Sequence, residues 1–246
     1  MIRVAVSGGA GRMGRMAAET IAAQDDLQLT GVYDPQGDGA AVAGVTCTVD
    51  LSAVECDVLV DWTTPGAVLN NVAAAAERGW HMVIGTSGFD AAKRDRLRQI
   101  WSTASGNCLL VPNFSIGAVL MMRFAELAAP HFGGVEVIEA HHEDKVDYPS
   151  GTALATASRI AAAGGSNIAN PSGRGVEVDG IPIHSIRVPG VIASQDVVLG
   201  GSGETLSIRH DTFDRKAFMP GMLMALRAVA DLPDQLTVGL DSLLGI

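Results

Sequence analysis

Short apolar runs alternate with helical patterns along the first half of the chain. The apolar runs predict five strands, at Ile2–Ser7, Leu27–Tyr33, Asp57–Asp61, His81–Ile84 and Cys108–Val111. Apolar residues with helical spacing predict three helices between them, at Met13–Ala23, Pro65–Arg78 and Asp90–Ser105. Continuous apolar strands separated by helices are typical of a parallel sheet that is covered on both faces. With right-handed crossovers, the pattern predicts a Rossmann-like α/β domain that ends near Pro112.

The second half of the chain has a different order of predicted helices and strands. Helices are predicted at Ile116–Ala129, from Ser150 onward and at Lys216–Ala230, and strands at Val135–His142, Ile183–Val188, Val191–Leu199 and Thr205–His210. Gly, Asn, Ser and Pro dominate Gly164–Gly180, which is predicted to be a loop. Strand-like runs with short connections indicate antiparallel pairing. We therefore expect a second, α+β domain with a mostly antiparallel sheet.

Composition limits the classes of function. Hydrophobic residues make up 48% of the chain, charged residues make up 18% and the mean hydropathy is +0.26, so the chain can bury a real core. The formal charge of −10 argues against nucleic acid or an anionic membrane as a partner. The three cysteines, Cys47, Cys56 and Cys108, lack the spacing of a disulfide framework or a zinc site, so no metal site is expected. Charges interrupt the alanine-rich stretches and the start of the chain does not resemble a signal peptide, so we expect a cytoplasmic protein.

A glycine-rich turn follows the first predicted strand. Residues 8–14 read GGAGRMG and contain the motif G-x-G-x-x-G at Gly9, Gly11 and Gly14. Between a strand and a helix, such a motif lets the backbone approach a pyrophosphate, to which the helix N-terminus presents its amides. We therefore expect dinucleotide binding here, and the alternative is a tight turn that binds nothing.

Asp34 closes the second predicted strand, 20 residues beyond Gly14. A carboxylate at this point accepts hydrogen bonds from the hydroxyls of a ribose. Asp34 favours NAD because it repels a 2′-phosphate, whereas Arg12 is placed to reach such a phosphate. We expect NADH and NADPH both to be usable.

Two further strand ends carry candidate cofactor residues. The sequence Gly85-Thr86-Ser87-Gly88 follows a predicted strand, and its small residues allow a nicotinamide ribose to approach the backbone closely. The segment Val111–Phe114 ends the last strand of the first half, where Asn113 or backbone carbonyls can orient a nicotinamide carboxamide. Ligands of open α/β sheets bind beyond the carboxyl ends of the strands. The alternative for Gly85–Gly88 is a plain loop.

Residues 139–152, which read EAHHEDKVDYPSGT, are the most informative segment. His141 and His142 end a predicted strand, so their side chains are expected on opposite faces and cannot readily chelate one metal ion. Lys145 follows in a loop, and Ser150 is a good N-cap for a helix whose first amides suit a carboxylate. A histidine or lysine beside that helix start is placed to protonate a substrate after hydride transfer. The alternative is that these side chains are polar surface or core residues without a catalytic role.

Four segments of the chain resemble the dihydrodipicolinate reductase family, also called the 4-hydroxy-tetrahydrodipicolinate reductase family. They are GGAGRMG at 8–14, GTSGF at 85–89, PNFSIG at 112–117 and EAHHEDKVDYPSGT at 139–152. The resemblance covers essentially the whole chain, and the last segment is highly specific whereas the glycine turn is generic. It implies reduction of the cyclic product of aspartate semialdehyde and pyruvate, on the diaminopimelate–lysine pathway, with NADH or NADPH as the hydride donor.

The resemblance also implies roles for individual residues. Proton transfer falls to His141 and Lys145, and which of the two delivers the proton is left open. The implied substrate-binding residues are His142, Ser150, Gly151 and Thr152. The implied cofactor-binding residues are Gly8, Gly9, Ala10, Gly11, Arg12, Met13, Asp34, Gly85, Thr86, Ser87, Val111, Pro112, Asn113 and Phe114.

The domain layout and the assembly follow from the same resemblance. Residues 1–112, completed by 216–246, are expected to form the dinucleotide-binding domain, and residues 113–215 the substrate-binding and oligomerisation domain. Family members are homotetramers built through the second sheet, so we expect a homotetramer. The expected ligand is a small dicarboxylate, with no nucleic acid or membrane as a partner.

Two rival functions are compatible with parts of the sequence. A different two-domain Rossmann oxidoreductase, such as a semialdehyde or homoserine dehydrogenase, needs a catalytic cysteine in a strand-end turn or a different Lys/Asp set. A non-catalytic sensor of NAD(P) would keep the glycine turn, but it has no use for His141, Lys145 and the helix start at Ser150.

Overall fold

The computed structural model describes residues 1–37, 39–166 and 175–246, which form two compact units. One unit consists of Met1–Phe114 and Phe218–Ile246, and the other lies within Ser115–Ala217. In chain order, the described strands are β1 (Ile2–Ser7), β2 (Leu27–Tyr33), β3 (Ala41–Val42), β4 (Val45–Thr48), β5 (Val58–Asp61), β6 (His81–Ile84), β7 (Cys108–Leu110), β8 (Gly134–His141), β9 (Val176–Val178), β10 (Ile181–Arg187), β11 (Ala193–Gly201), β12 (Glu204–Thr212) and β13 (Leu236–Val238). The described helices are α1 (Arg12–Ala22), α2 (Val68–Arg78), α3 (Ala91–Trp101), α4 (Ile116–Ala128), α5 (Gly151–Ala162), α6 (Met219–Ala228) and α7 (Asp241–Leu244).

The sheet of the first unit is built around β1. Within the described residues it has eight strands in the order β13-β7-β6-β5-β1-β2-β4-β3. Neighbouring strands are parallel except for the short pair β3 and β4. Every residue of β5 is buried, as expected for a parallel strand that is covered on both faces. Because β2 lies on one side of β1 and β5 on the other, the carboxyl end of β1 is the point where the strand order reverses.

Apolar helix positions cover this sheet. Val72 of α2 and Leu97 and Trp101 of α3 share one buried cluster with Met82 and Ile84 of β6. Positions 97 and 101 lie one helical turn apart and therefore on the same face of α3. This packing fixes the ends of the central strands, beyond which the candidate cofactor residues lie.

The second unit contains a five-stranded sheet, counted over the residues that the structure describes, in the order β12-β11-β8-β10-β9. Three of its four neighbouring pairs are antiparallel, and β10 runs parallel to β8. Val135, Val137 and Glu139 of β8 are buried, because alternate residues of a strand share a face. The two valines join Ala157 and Ile160 of α5 in one apolar cluster. Glu139 therefore places a carboxylate on the otherwise apolar face of β8.

The predicted fold class is confirmed: a parallel, Rossmann-like sheet and a second, mostly antiparallel sheet. The strands β1, β2 and β6 have the bounds that the hydrophobic pattern predicted. β1 and β6 are buried through most of their length, as a continuous apolar run predicts, whereas β2 is buried at Leu27, Gly31 and Val32.

Several local predictions were wrong. The predicted loop Gly164–Gly180 contains β9, which pairs with β10, although residues 167–174 of that prediction lie outside the described residues. The helix predicted from Pro65 begins at Val68, after a turn. The helix predicted over Lys216–Ala230 is α6 with a short 3-10 turn at either end. The strands β3, β4 and β13 were not predicted, because they are short and largely unburied and so lack the continuous apolar run that marked β5, β6 and β7.

The three cysteines give a first testable prediction. All three are buried and free, and burial raises the pKa of the Cys56 thiol to about 12 and the pKa values of Cys47 and Cys108 as well. Because the thiolate is the reactive form, we expect no labelling by Ellman's reagent in the native protein at a pH of about 8, where an exposed thiol reacts. The same assay after unfolding in guanidinium, which serves as the control, is expected to detect three thiols. Fast labelling of the native chain would contradict this prediction.

Candidate active site

The glycine turn is shaped by close backbone contacts within the first unit. Gly8 has a φ of +82°, and a Cβ there would lie 2.6 Å from the carbonyl oxygen of Trp62. A Cβ at Gly9 would overlap a methyl group of Val32, and one at Gly14 would overlap the carbonyl oxygen of Gly8. Only glycine fits these positions, so the turn presents bare backbone to a ligand.

Helix α1 starts directly after this turn. Its N-cap is Gly11, which supplies no capping side chain, and the first turn contains no acidic residue. The amide of Gly11 donates to the carbonyl of Gly8 at 3.1 Å. The amides of Arg12 and Met13 thus open a helix N-terminus that has a partial positive charge and no side-chain acceptor among the described residues. This arrangement fits the pyrophosphate of a dinucleotide.

Asp34 lies immediately beyond β2 and contacts the same turn. One of its carboxylate oxygens accepts from the amide of Ala10 at 2.9 Å and the other from the amide of Gln36 at 2.9 Å. A carboxylate oxygen has two lone pairs, so each keeps one for a ribose hydroxyl. Asp34 therefore fits its predicted role and also fastens the glycine turn to the end of β2.

Asp61, the last residue of β5, was not singled out by the sequence analysis. Its carboxylate is fully buried, and one oxygen accepts from the hydroxyl of Thr86 at 2.6 Å and from the amide and hydroxyl of Thr63 at 3.0 and 2.7 Å. The other oxygen accepts from the side-chain amide of Asn71 at 2.7 Å, which also reaches the hydroxyl of Ser7 at 2.9 Å. This network joins the ends of β1, β5 and β6. The signal in the sequence was an acidic residue that ends an otherwise apolar run.

Two aromatic rings, those of Trp62 and of the predicted cofactor residue Phe114, flank Gly85. The ring centroids of Trp62 and Phe114 lie 4.9 Å apart, and a Cβ at Gly85 would come within 2.7 Å of the Phe114 ring and 3.0 Å of the Trp62 ring. The indole N–H of Trp62 is buried and has no hydrogen-bond partner among the described residues. The structure thus brings Gly85 and Phe114 together and adds the ring of Trp62.

The other predicted cofactor residues near Gly85 and Phe114 lie on the loops that follow β6 and β7. The hydroxyl of Thr86 is already donated to Asp61, which leaves its backbone to face a ligand. Ser87 is exposed. Val111, Pro112 and Asn113 follow β7, next along the sheet from β6.

In the second unit, His141 ends β8 and is hydrogen-bonded to a carboxylate. Its Nδ1 lies 2.6 Å from Oε2 of Glu139, whose side chain is 0% exposed. An ionised carboxylate is only an acceptor, so Nδ1 carries a proton and donates it. Nε2 is therefore the ring nitrogen that can exchange a proton with a ligand. The sequence analysis did not assign a role to Glu139.

Arg187, at the end of β10, completes this arrangement and was also missed. It forms two parallel hydrogen bonds of 2.9 Å to the two carboxylate oxygens of Glu139. Its guanidinium also donates to the backbone carbonyls of Asp147 at 2.8 Å and Lys145 at 3.3 Å. In the parallel register of β10 and β8, Arg187 lies opposite His141. Strand pairing alone brings these residues together, and this pairing cannot be predicted from their spacing in the sequence.

The pKa values of this pair follow from burial and charge. Burial opposes ionisation of Glu139, but hydrogen bonds from Arg187, Ser185 and His141 outweigh it, and the pKa of Glu139 lies below its ordinary value. Burial lowers the pKa of His141, and the Glu139 carboxylate opposes this change. The charges of Lys145 and Arg187 lower the pKa of His141 further.

Lys145 and His142 lie on the segment that follows β8. The strand ends at His141, one residue before the predicted end at His142. The carbonyl of His142 accepts from the amide of Lys145 at 3.2 Å, which makes a turn. The ammonium of Lys145 pairs with both carboxylate oxygens of Asp147, at 2.7 and 2.8 Å.

Helix α5 begins at the same end of β8. Ser150 is its N-cap, as predicted: its hydroxyl accepts from the amide of Ala153 at 3.2 Å, and its own amide donates to Oε1 of Glu139 at 3.3 Å. No described atom lies within 4 Å of a Cβ placed on Gly151, so the first turn faces open space. With the amides of Gly151 and Thr152, this helix start suits a carboxylate.

Two more polar side chains line the inward face of this sheet and were not predicted. Gln195 of β11 lies opposite Glu139 on one side and opposite His210 of β12 on the other. Its side-chain amide donates to the hydroxyl of Thr156 at 2.7 Å, and its oxygen has no hydrogen-bond partner in the described part of the chain. Nε2 of His210 lies 3.1 Å from the hydroxyl of Ser115, and burial lowers the pKa of His210.

The described residues contain neither a metal-ligand cluster nor a helix that could span a membrane. No group of three or more histidine, cysteine, aspartate or glutamate side chains there could hold a metal ion. No described helix has both the length and the apolar character needed to cross a membrane.

The nucleotide-type glycine turn of one unit, and the histidine hydrogen-bonded to a carboxylate in the other, are the features expected of a Rossmann-type oxidoreductase that uses a pyridine nucleotide. Two family models match the chain: the N-terminus of dihydrodipicolinate reductase over residues 2–114 and its C-terminus over residues 117–244. The chain therefore belongs to the dihydrodipicolinate reductase family, whose members are NAD(P)H-dependent oxidoreductases.

Individual relatives agree over the full length. The 4-hydroxy-tetrahydrodipicolinate reductases of Thermobifida fusca and Cutibacterium acnes are 46% and 43% identical to the chain, and each alignment covers 100% of both sequences. The solved structure of a dipicolinate-bound dihydrodipicolinate reductase from Paenisporosarcina sp. TG-14 is 36% identical, covers 98% of this chain and 99% of that chain, and has a TM-score of 0.85.

Proposed function

We propose that this chain reduces 4-hydroxy-tetrahydrodipicolinate, with loss of its hydroxyl group as water, or the dehydrated form dihydrodipicolinate, to tetrahydrodipicolinate in diaminopimelate and lysine biosynthesis, with NADH or NADPH. The observation that carries the proposal is the group formed by the Glu139–His141 pair, Lys145 and the start of α5. A nucleotide sensor has no use for such a group. The full-length relatives that bear the reductase name support the same conclusion.

The first unit supplies the cofactor site in this proposal. The amides at the start of α1 hold the pyrophosphate, and Asp34 accepts from ribose hydroxyls. Gly85, Trp62 and Phe114 form the surface on which the nicotinamide end rests. The nicotinamide supplies the hydride when the cofactor is bound. The exposed Arg12 and the carboxylate of Asp34 together support the use of both NADH and NADPH.

The second unit supplies the substrate site. The substrate is a small dianion and the chain has a formal charge of −10, so binding needs a local cationic site. The amides of Gly151 and Thr152 take one carboxylate, and His142 and Lys145 contribute the remaining positive character. Nε2 of His141 or the ammonium of Lys145 then protonates the atom that gains electron density.

We also propose a homotetramer in the cytoplasm, with the sheet of the second unit as the interface. The proposal is supported by the family resemblance and by the edge strand β12, which is exposed over its first half and carries Leu206 at 38% exposure. Apolar surface on an edge strand is a liability that a partner can cover.

The proposal is tested by following the oxidation of NADH and NADPH side by side. The substrate is generated enzymatically from aspartate semialdehyde and pyruvate, and the absorbance of the reduced cofactor is recorded. We expect substrate-dependent oxidation of both cofactors with a kcat on the order of 1–1,000 per second. Omission of the substrate is the control. Tight cofactor binding without substrate-dependent oxidation would overturn the reductase and favour the nucleotide sensor.

A further inference from the structure

We propose that Glu139 and Arg187 are positioning residues for the reductase site: Glu139 fixes the tautomer and orientation of His141, and Arg187 holds the backbone that carries Lys145. This inference rests on the proposed function and deepens it. It assigns to one buried ion pair the placement of both candidate proton donors.

The carboxylate of Glu139 is surrounded by hydrogen-bond donors. Its carboxylate is fully buried and accepts from His141, from Arg187 through two bonds and from the amide of Ser150. Every one of these contacts is a donor, so the carboxylate stays ionised and the His141 ring is held with Nδ1–H toward it. The same carboxylate thus orients the imidazole and the first amide of α5.

The planar guanidinium of Arg187 contacts both the carboxylate of Glu139 and the backbone of the segment after β8. The guanidinium uses one edge for the two oxygens of Glu139, and it donates in addition to the carbonyls of Lys145 and Asp147. A planar guanidinium can satisfy these acceptors at once, whereas an ammonium cannot reproduce the same geometry. Arg187 therefore ties the segment after β8 to the sheet at two backbone points.

Removing the charges of Glu139 and Arg187 from water costs free energy. Replacing a buried ion pair with apolar side chains is often neutral or stabilising, so stability alone does not explain it at this position. The neighbouring positions Val135 and Val137 of the same face are apolar. The ion pair occurs only where the strand reaches the imidazole and the helix start, which assigns it to the site.

A second Glu–His pair, which joins β8 to β10, provides a matched control. Oε2 of Glu136 lies 2.9 Å from Nε2 of His184, and these side chains are 25% and 32% exposed. Glu136 lies on β8 and His184 on β10, outside the group around His141. Glu136→Gln therefore makes the same chemical change in the same strand at a distance from the site.

The experiment measures the titration of the His141 ring by NMR in cofactor-free protein. The charged groups that face His141 are Glu139 on its own strand, Lys145 on the following segment and Arg187 on β10. Loss of the Glu139 charge removes the contribution that favours the protonated ring. Glu139→Gln is therefore expected to move the His141 midpoint to lower pH by about one unit or more, and Glu136→Gln to leave it in place. The His141 signal is identified by its absence in His141→Gln.

Arg187→Lys tests the second half of the proposal. The positive charge is kept, so the His141 midpoint is expected to stay within about half a unit of the wild-type value. The lost bonds to the backbone of Lys145 and Asp147 are expected to lower kcat about 10- to 100-fold, because a displaced proton donor loses its reacting geometry. Unchanged kcat and KM in Arg187→Lys would overturn the role of Arg187. This variant also keeps the proposal testable if Glu139→Gln does not fold, which its thermal unfolding curve reports.

Failure of this inference differs from failure of the proposed function. Equal His141 midpoints in Glu139→Gln and the wild type would overturn the positioning role of Glu139, whatever the activity. A wild type without substrate-dependent oxidation would overturn the reductase, because the NMR titration needs neither substrate nor cofactor. The pH profile of kcat/KM provides a second readout, in which the limb that belongs to His141 moves in the same direction.

Discussion

Replacing Lys145 with alanine is expected to lower kcat about 10²- to 10⁴-fold while leaving the affinity for NADH and NADPH unchanged. The ammonium is the group of this site that can both meet a carboxylate and deliver a proton. The glycine turn belongs to the other compact unit, so the variant leaves the nucleotide contacts in place. Turnover is measured with enzymatically generated substrate, and cofactor affinity by quenching of protein fluorescence.

Two control variants separate the ammonium of Lys145 from a general change of charge. Lys216→Ala removes an exposed lysine from the same unit and is expected to change kcat less than twofold, within the roughly neutral range of exposed substitutions. Asp147→Asn removes the present ion-pair partner of Lys145 and keeps the ammonium, so turnover is expected to persist. A Lys145→Ala enzyme with wild-type turnover would remove Lys145 from its assigned role.

Gly14→Ala is expected to weaken dinucleotide binding. The new Cβ would overlap the carbonyl oxygen of Gly8 and lie 2.7 Å from its carbonyl carbon and 2.8 Å from Cα of Gly9. These are backbone atoms, so the clash cannot be relieved by a side-chain rotation, and the turn must open. We expect an affinity loss of at least about 10-fold and a loss of about 1–3 kcal/mol in the free energy of unfolding, as for other overpacked sites.

The matched control for this variant is Gly66→Ala. A Cβ at Gly66 has no neighbour within 4 Å among the described residues, and Gly66 lies in the same unit. Fluorescence titration with NADH and denaturant unfolding are compared for both variants. Wild-type affinity in Gly14→Ala would show that the turn does not need the close approach of α1 to Gly8.

Two buried carboxylates show where reasoning from the sequence stopped. Asp61 and Glu139 each occupy a buried position on a strand, and each is fully satisfied by donors that come from several elements. Asp61 is held by neutral hydroxyl and amide groups, whereas Glu139 is held by a guanidinium. In both cases the sequence contained a usable signal: an acidic residue at the buried phase of an apolar strand. The partners were not foreseeable, because Arg187 lies 48 residues from Glu139.

The sequence by itself determined the fold class, the glycine turn and the helix start at Ser150. These features rest on local physics: continuous apolar runs make buried parallel strands, glycine permits close backbone contact, and serine caps a helix. The tertiary structure alone decided how the catalytic candidates are oriented. Strand register places Arg187 opposite His141 and Gln195 opposite Glu139, and the pairing of distant strands depends on the packing of the whole sheet.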